Sequence, residues 1–447
     1  MSSSEAVPTS LDLAVPTSLV FDIGRTNKKA YVFDAQGEVR FSDSVTLAET
    51  RDDDGFPAED LGALCRWIDA QTAALVPRFG VSRINFSTYG ATLVHVDGEG
   101  RPTTPLYSYL KPVTIPLLHE VYRGAGGART FHVVTGSPPL SMLNSGLQLL
   151  WLRHTRPEAF RQTRASLHLP QYLSYRLTGR LASEYTSVGC HTCLWDFTRG
   201  RYHDWTDAHA VAPLLPAVVS TYASHPARVG GREVAVGVGI HDSSAALLVH
   251  LRRQRAPFLL VSTGTWAINF NPFNPTPLTA YELGRDCLTF LRPDGRAVKA
   301  SRMFFGREHD VRVRELAEFY GVGPDAYRDV AYVPALDKVG KKRRYRWSEL
   351  ADFFPRGNGK HTKPATFAAA YHRLMRELVD YLSEQIELIA TPEALANIVI
   401  DGGFVASGLF REMLAYNFPD SRVVASDNPN GSALGALYAL DGKISAV

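Results

Sequence analysis

Residues 19 to 29 read LVFDIGRTNKK, an apolar strand pattern that runs into Asp22 and then into a glycine turn with a hydroxyl, an amide and two lysines. The next segments, KKAYVFDAQG and EVRFSDSVTL, are also apolar and are bounded by Gly, Asp or Asn. Such spacing is typical of an antiparallel meander. The sequence therefore predicts a hairpin with a carboxylate and cations at its tip, although a plain hairpin turn explains DIGRTN equally well.

Outward from this hairpin, helix and strand patterns alternate along the chain. A helix is predicted from about 58 to 76, and RINFSTYGATLVHVDGEG predicts a strand, a polar bend and a second strand. The stretch 147 to 177 is helical in pattern, and the amphipathic segment 367 to 389 gives the clearest helix signal. This alternation indicates an α/β layer architecture.

A second hairpin pattern, FLLVSTGTWAINFN at residues 258 to 271, repeats the first one. With 447 residues the chain is too long for one ordinary core, and it suggests two large domains. We place the boundary at 248 to 257, where LVHLRRQRAP interrupts the apolar pattern with charge and proline. We predict a disordered lead-in at 1–18, an N-terminal domain at 19–250 and a C-terminal domain at 257–447. Each domain would contain its own β-sheet, and the cleft between the two domains would be the functional site.

The overall charge argues against several classes of partner. A formal net charge of +3, from 48 Lys and Arg against 45 Asp and Glu, predicts no nucleic-acid surface, and we interpret the basic run Lys341 to Arg346 as a solvated loop. No window holds the roughly 18 apolar residues that a membrane span needs. The Ser- and Pro-rich N-terminus has no signal-peptide pattern. We therefore expect a cytoplasmic protein with neither a membrane nor a nucleic-acid partner.

The four cysteines indicate a reducing compartment rather than a disulfide framework. Cys190 and Cys193, in CHTC, have the spacing of half a zinc site or of a redox motif. No second CxxC or HxxxH follows them, so a purely structural role is favoured.

Two glycine turns that face each other across a cleft would offer backbone N–H groups to a bound anion. The polar groups beside these turns suit phosphate oxygens, and they belong to Thr26, Asn27, Lys28, Thr263 and Thr265. The carboxylate of Asp22 does not suit a phosphate by itself, and a divalent cation such as Mg²⁺ normally reconciles the two. Neither a Walker A loop nor a GxGxxG fingerprint opens a helix after the first strand.

Three further patterns each have a functional and a structural interpretation. Asp242, in GVGIHDSSAALL, is either a helix cap or a general base that receives a hydroxyl proton during phosphoryl transfer, and neighbouring phosphate turns favour the base. Tyr89 and Gly90, in STYGA, form either a sugar platform or part of a core. Gly402 and Gly403, in DGGFVASG, either let the backbone approach adenine or form a plain strand-to-helix turn.

Taken in order, DIGRTNKK, STYGA, GIHDSSAA, STGTW, DGG and GSALGA resemble the motif series of the FGGY family of carbohydrate kinases, over about residues 19 to 440. The resemblance implies two ribonuclease-H-like domains, as in the actin and hexokinase superfamily. It also implies that the protein phosphorylates a sugar with ATP as the donor and Mg²⁺ as the cofactor. It implies that Asp242 is the catalytic base, and we assign the metal to Asp22 and Asp242. We assign the sugar to Tyr89, Gly90, His241 and Ser243. The expected nucleotide contacts are Gly24, Arg25, Thr26, Asn27, Lys28, Thr263, Gly264, Thr265, Gly402 and Gly403.

The sequence departs from the family pattern at three positions. Arg25 stands where many members have a small hydroxyl residue, Phe404 where a third glycine is common, and Gln171 where Asp is common. We assign no further pocket residues, since helix-surface or loop roles equally explain the nearby Gln148, Glu184 and Thr186.

The HD pair and STYGA look closer to rhamnulose and fuculose kinases, so a ketose such as L-rhamnulose or L-fuculose is the expected acceptor. The alternatives are a kinase for xylulose or a polyol, a non-catalytic sugar- or nucleotide-sensing protein of the same fold, and a chaperone- or actin-like ATPase. Homodimers are common among such kinases, so the resemblance also implies a homodimer.

Overall fold

The computed structural model describes residues 16–336, 364–428 and 430–442. Most of the predicted lead-in at 1–18 and the basic run Lys341 to Arg346 lie outside the described residues. The first strand is Ser18–Ile23, so it begins one residue before the predicted start of the N-terminal domain. Both glycine turns and the DGG segment belong to the described part of the chain.

The strand Ser18–Ile23 lies inside the N-terminal sheet. It pairs antiparallel with Asn27–Phe33, which pairs antiparallel with Val39–Thr46, so the predicted meander is confirmed. On its other side it pairs in parallel with Arg83–Thr88, which places Asp22 opposite Ser87. The same sheet also contains Arg232–Gly237, Ser224–Val229 and Ile240–His241.

Both faces of this strand are buried, which explains its almost continuous apolar sequence. Leu19, Phe21 and Ile23 belong to the core on the side of the helix Leu61–Phe79. Val20 belongs to the core on the opposite face, where the helices Asp242–Arg253 and Gly431–Leu440 pack. The strand is therefore fixed from both sides, and its polar end at Asp22 is held in place.

The C-terminal sheet repeats this arrangement. Leu259–Thr263 pairs antiparallel with Ala267–Asn271 and in parallel with Asn397–Gly402, just as the first strand pairs with its two neighbours. The prediction that FLLVSTGTWAINFN repeats the first hairpin is confirmed. The remaining strands of this sheet are Ala297–Met303, Cys287–Leu291 and Arg422–Ala425.

Helices cover both sheets, and small two-stranded sheets join the connecting segments. The other helices are Leu118–Gly124, Ala128–Val134, Ser145–Thr155, Pro157–Gln162, Leu169–Thr178, Tyr185–Val188, Trp205–Ala208, Ala280–Leu283, Phe305–Tyr320, Phe367–Ile389, Pro392–Leu395 and Gly408–Asn417. The small sheets pair Glu49–Arg51 with Pro57–Glu59, Leu93–Val96 with Ala165–His168, Ser183–Glu184 with Val218–Val219, and Trp195–Asp196 with Arg201–Tyr202. Among the described residues, no helix combines the length and the apolar character needed to cross a bilayer.

The structure confirms the long helix Phe367–Ile389 at its predicted bounds and corrects two others. The first helix begins at Leu61 rather than near 58, because the Asp60 side chain accepts the Ala63 N–H and caps it there. The stretch 147 to 177 is not helical throughout. It contains the strand Ala165–His168, whose alternation of apolar and polar residues, ASLH, is only four residues long and does not stand out from the helical patterns on either side.

Two helices join the lobes. Asp242–Arg253 packs directly against Gly431–Leu440, and a Cβ at Gly435 would come within 1.9 Å of the Ala245 carbonyl oxygen. The helix Gly431–Leu440 follows the C-terminal sheet in sequence, yet its apolar residues pack on Val20 and other residues of the N-terminal sheet. The start of each helix lines a cleft, together with strand ends of the C-terminal sheet.

Candidate active site

A cleft of about 650 Å³ lies between the helix Asp242–Arg253 and the strand ends of the C-terminal sheet. Its walls come from the start of Asp242–Arg253, from the ends of two C-terminal strands and from the start of Gly431–Leu440. The lining residues include Asp242, Ser243, Ala246, Ser262, Asp401, Gly402, Gly403, Asp427 and Ser432. The structure thus brings the predicted base and the predicted adenine turn into one cavity.

Asp242 is the first residue of its helix, and His241 occupies the capping position. Asp242 thus lies one residue after the capping position, although its side chain still accepts an N–H group of the first helical turn. Its Oδ1 accepts the Ser243 N–H at 2.6 Å and the Ser243 hydroxyl at 3.2 Å. Burial raises the pKa of Asp242 to about 6, although the two hydrogen bonds from Ser243 oppose the rise. A carboxyl with a pKa just below neutrality suits a general base.

Asp22 lies close enough to Asp242 for the two charges to interact. Burial raises the pKa of Asp22 to about 6; the hydrogen bond from Ser432 opposes this rise, and the charge of Asp242 adds to it. Lys29 and Ser87 lower this pKa by smaller amounts. Two partly buried carboxylates that repel each other fit a divalent cation, because the cation would remove the repulsion.

His241 lies buried beside Asp242. Its Nε2 is 3.3 Å from Asp242 Oδ1, its Nδ1 is 3.3 Å from Ser244 Oγ, and its backbone N–H donates to Thr186 Oγ1 at 3.1 Å. Burial lowers the pKa of His241 to about 4, so the neutral ring can accept the Ser244 hydroxyl and donate to Asp242. A Cβ at Gly90 would come within 2.9 Å of His241 Nε2, so Gly90 and His241 adjoin as the sugar assignment requires.

The second glycine turn lies beside the DGG segment. Thr263 Oγ1 donates to the Asp401 carbonyl at 2.7 Å and accepts the Phe404 N–H at 3.0 Å. Gly402 has a φ of +87°, and a Cβ there would come within 2.0 Å of the Thr263 carbonyl oxygen, so only glycine fits. Gly264, at the tip of the turn, is exposed.

A second cavity, of about 390 Å³, adjoins the cleft and shares Gly403 and Ala406 with it. Gly264 and Thr265 form part of its wall. Its other lining residues include aromatic rings, and these are His309, Tyr327, Tyr371 and Phe404. The Phe404 ring lies edge to face with His309, at a centroid distance of 4.9 Å, so a side chain fills part of the place where a third glycine is common in the family.

The first glycine turn is more polar. Arg25 forms a 2.9 Å ion pair with Glu49, and its guanidinium lies 5.9 Å from the centre of the Tyr109 ring. Thr26 and Asn27 are exposed at the tip. The contacts of these three residues with phosphate stay predictions.

Lys28 is buried beneath this turn. Its Nζ lies 2.7 Å from Glu59 Oε1 and donates to the backbone carbonyls of Gly24 and Arg25. The Tyr89 hydroxyl donates to the other carboxylate oxygen of Glu59. The predicted phosphate ligand Lys28 and the predicted sugar platform Tyr89 therefore meet in one buried cluster around Glu59, and their roles toward ligands stay predictions.

Several polar residues of the site were not assigned from the sequence. Asp401 lines the cleft, its Oδ1 accepts the Gly402 N–H at 2.9 Å, and its Oδ2 lies 3.4 Å from His250 Nε2. Ser432 hydrogen-bonds Asp22. Asp401 and Ser432 belong to the DGG and GSALGA motifs, so position within a motif was the available signal. Glu59 had no such signal, because it lies in a short strand within the stretch predicted as helix.

Of the unassigned pocket neighbours, two make structural contacts. Gln148 Nε2 donates to the backbone carbonyls of Ala91 and Met142. Glu184 accepts hydrogen bonds from the backbone N–H and the hydroxyl of Thr186. Since Thr186 also accepts the His241 N–H, this chain of contacts supports the backbone just before Asp242.

Two family models and several known proteins match this chain. The FGGY family of carbohydrate kinases, N-terminal domain, matches residues 17–248, and the carbohydrate kinase FGGY, C-terminal domain, matches residues 255–446. An L-fuculokinase of Salmonella typhi is 26% identical over 273 residues, which cover 56% of this chain and 55% of that protein. A rhamnulokinase of Klebsiella pneumoniae (strain 342) is 29% identical over 198 residues, covering 42% of this chain and 39% of that protein. The matched region thus spans about half the length of these curated relatives or less.

The crystal structure of a carbohydrate kinase from Novosphingobium aromaticivorans matches with a TM-score of 0.77 and 24% identity, covering 95% of this chain and 93% of that one. This likeness confirms the predicted two-domain α/β fold. Because the two family models together cover most of its length, the chain belongs to the FGGY family of carbohydrate kinases.

Proposed function

We propose that this protein transfers the terminal phosphoryl group of ATP to a hydroxyl of a small sugar, with Asp242 as general base. The observation that carries the proposal is the shared cleft, in which Asp242 faces the glycine turn at 402–403 and lies near Asp22. The names of the curated relatives, L-fuculokinase and rhamnulokinase, favour a ketose such as L-fuculose or L-rhamnulose as the acceptor.

Asp242 would accept the proton of the acceptor hydroxyl as the phosphoryl group arrives. Its Oδ1 is held by Ser243 and contacts His241, so Oδ2 is the oxygen that we assign to the hydroxyl. Ser244 would keep His241 in the tautomer that donates to Asp242. These contacts fix the carboxylate before the substrate binds, and such positioning lowers the barrier of a transfer reaction.

The nucleotide would lie across the two adjoining cavities. The aromatic cavity with Phe404 suits adenine, and the backbone at Gly264, Gly402 and Gly403 suits the phosphates, because no side chain keeps a ligand away from the main chain. Asp22 and Asp242 would hold Mg²⁺, which would neutralise phosphate charge. Closure of the lobes around the ligands would exclude water as a competing acceptor.

A coupled assay of ADP release tests the proposal, with L-fuculose, L-rhamnulose, D-xylulose and glycerol as acceptors. We expect Asp242→Asn to lower kcat by about a thousandfold or more while ATP still binds, because the amide cannot take the proton. The wild-type rate should fall in acid as Asp242 becomes protonated, with a midpoint below the metal-free pKa of about 6 because bound Mg²⁺ favours the carboxylate. Asp207→Asn, on the exposed side of the helix Trp205–Ala208, removes the same charge away from the cleft and serves as the matched control.

Near-normal turnover by Asp242→Asn would show that another group is the base. ATP hydrolysis that no acceptor stimulates would favour the alternative of an ATPase. ATP binding without turnover in the wild-type protein would favour the sensing alternative.

A further inference from the structure

The CHTC motif lies beside His241, because Cys190 and His191 each have a ligand atom within 4.8 Å of a ring nitrogen of His241. Cys190 packs in the apolar cluster that contains Leu247 and Phe290, and Cys193 packs in a different core. Both thiols are free and buried. His191, between them, is only half-buried. The two buried cysteines thus hold in place the loop that carries the partly exposed His191.

His191 lies next to the residue that contacts the proposed base. Its ring is 6.3 Å from the His241 ring, nearly perpendicular to it, and one ring nitrogen of each lies within 4.8 Å of the other. Phe290 stacks on His241 and contacts the edge of His191, so one aromatic wall supports both rings. Since His241 Nε2 contacts Asp242, His191 is one residue away from the reacting group.

A backbone contact determines what His191 can bind. Its Nδ1 lies 2.9 Å from the Leu143 carbonyl oxygen. A carbonyl oxygen can only accept, so Nδ1 carries the proton and Nε2 of the neutral ring is an acceptor. A hydroxyl group is the donor that a small sugar offers to such an atom.

We propose that His191 Nε2 accepts a hydrogen bond from a second hydroxyl of the acceptor, close to the hydroxyl that Asp242 deprotonates. This inference rests on the proposed function and specifies its substrate class, namely acceptors with at least two neighbouring hydroxyls rather than simple alcohols. His191 is then a specificity residue, because it holds the substrate equally before and during phosphoryl transfer.

A metal ion is the competing occupant, since Cys190, His191 and His241 have ligand atoms within 4.8 Å of one another. The contacts favour the hydroxyl. The Cys190 thiol donates to the Ser187 carbonyl at 3.3 Å, which is the behaviour of a protonated thiol rather than of a metal-binding thiolate.

The test compares His191→Leu, which removes the acceptor atom, with His191→Gln, which keeps one at a similar reach. Steady-state ADP release is measured with the best acceptor among L-fuculose, L-rhamnulose, D-xylulose and glycerol. For His191→Leu we expect the acceptor KM to rise about ten- to a hundredfold, the range for a lost buried hydrogen bond, with little change in kcat or in the KM for ATP. His191→Gln should recover most of the affinity. His209→Leu, at another half-buried histidine that lines a separate cavity, should behave as wild type.

The outcomes separate this inference from the proposed function. Failure of the wild-type protein to phosphorylate any acceptor refutes the proposed function and the inference with it. An active wild type with an unchanged acceptor KM in His191→Leu refutes the inference alone. Equal damage in the Leu and Gln variants would indicate a structural role and would also overturn it. The inference would also be overturned if the wild-type protein bound one zinc ion per chain and both Cys190→Ser and His191→Leu lost that ion.

Discussion

The two hairpins of this protein share one topology and differ in what their tips offer to a ligand. At the first tip, charged side chains dominate, with Arg25 paired to Glu49 and Lys28 paired to Glu59. At the second tip, backbone dominates. A Cβ at Gly306 would come within 2.1 Å of the Gly264 carbonyl oxygen, so the second turn is packed against main chain.

This difference indicates a division of labour between the lobes. Side-chain charges can adapt to a ligand, but each ion pair at the first tip would have to be kept or exchanged on the proposed binding of a phosphate. The second turn is instead enclosed by neighbouring backbone, because an added carbon at Gly306 or Gly402 would clash with a carbonyl oxygen of the turn, whereas Gly264 itself has room for one at 3.6 Å from the nearest atom. The first hairpin should therefore be sensitive to charge, and the glycines packed against the second hairpin should be sensitive to size.

The largest effect is expected from Gly402→Ala, at the end of the strand Asn397–Gly402 that pairs with the second hairpin. The new Cβ would lie 2.0 Å from the Thr263 carbonyl oxygen at a φ of +87°, where an L residue is strained. We expect a loss of about 3 kcal/mol or more in the free energy of unfolding, measured by denaturant titration. At Gly403 a Cβ would lie 3.8 Å from the same oxygen, which is an ordinary contact distance. The free energy of unfolding of Gly403→Ala should therefore lie within about 1 kcal/mol of the wild-type value. Similar stability of the two variants would contradict the packed-backbone description.

Charge should decide the outcome in the first hairpin, where Lys28→Met is the next largest change. Both members of the Lys28–Glu59 pair are almost fully buried, at 3% and 6% side-chain exposure, so the substitution strands a carboxylate away from water. Breaking a buried pair from one side costs about 3–5 kcal/mol. The unfolding free energy should fall by about that amount in urea titration.

The double variant Lys28→Met with Glu59→Gln provides the matched control. It removes the stranded charge, and the amide can still accept the Tyr89 hydroxyl. We expect it to regain most of the lost stability. If the double variant is no more stable than Lys28→Met, the cost arises from packing rather than from charge.

Regular patterns of apolar residues made both hairpins and the long helix predictable from the sequence. Both hairpins follow from alternating apolar runs with a glycine turn, and Phe367–Ile389 follows from a sustained helical stripe. The strand Ala165–His168 was missed because its alternating pattern, ASLH, is only four residues long and lies between two longer helical patterns. The identity of Asp242 as a polar helix start was readable, since it follows a strand and precedes small residues.

Long-range pairings were beyond the sequence. Glu59 lies 31 positions from Lys28 and carries no motif, so only the fold reveals their ion pair. The contact of Ser432 with Asp22 spans nearly the whole chain, because the helix Gly431–Leu440 returns to the N-terminal sheet. Such partners are set by topology, and one sequence does not encode them in its local spacing.

A smaller effect, dependent on pH, is expected at the end of the first hairpin strand. The pKa of Asp22 in the folded protein, about 6, exceeds its ordinary value of about 4, chiefly because of burial. The folded state therefore binds this proton more tightly than the unfolded chain, and its stability falls as the pH rises through 4 to 6. In EDTA, Asp22→Asn should raise the Tm by a few degrees at pH 7.5 and change it little at pH 4. A Tm shift that is the same at both pH values would show that hydrogen bonds, and not the carboxylate charge, are responsible.

The smallest effect should come from the surface ion pair of the first tip. Glu49 is 58% exposed, so Glu49→Gln should change the unfolding free energy by less than about 1 kcal/mol. If Arg25 contacts phosphate as proposed, Glu49 would compete for it, so the loss of Glu49 should lower the KM for ATP about twofold, whereas Arg25→Gln should raise it. High salt should weaken both effects, since the charges are close to solvent. If both variants raise the KM for ATP, the pair supports the shape of the turn, and the first hairpin depends on backbone geometry as the second one does.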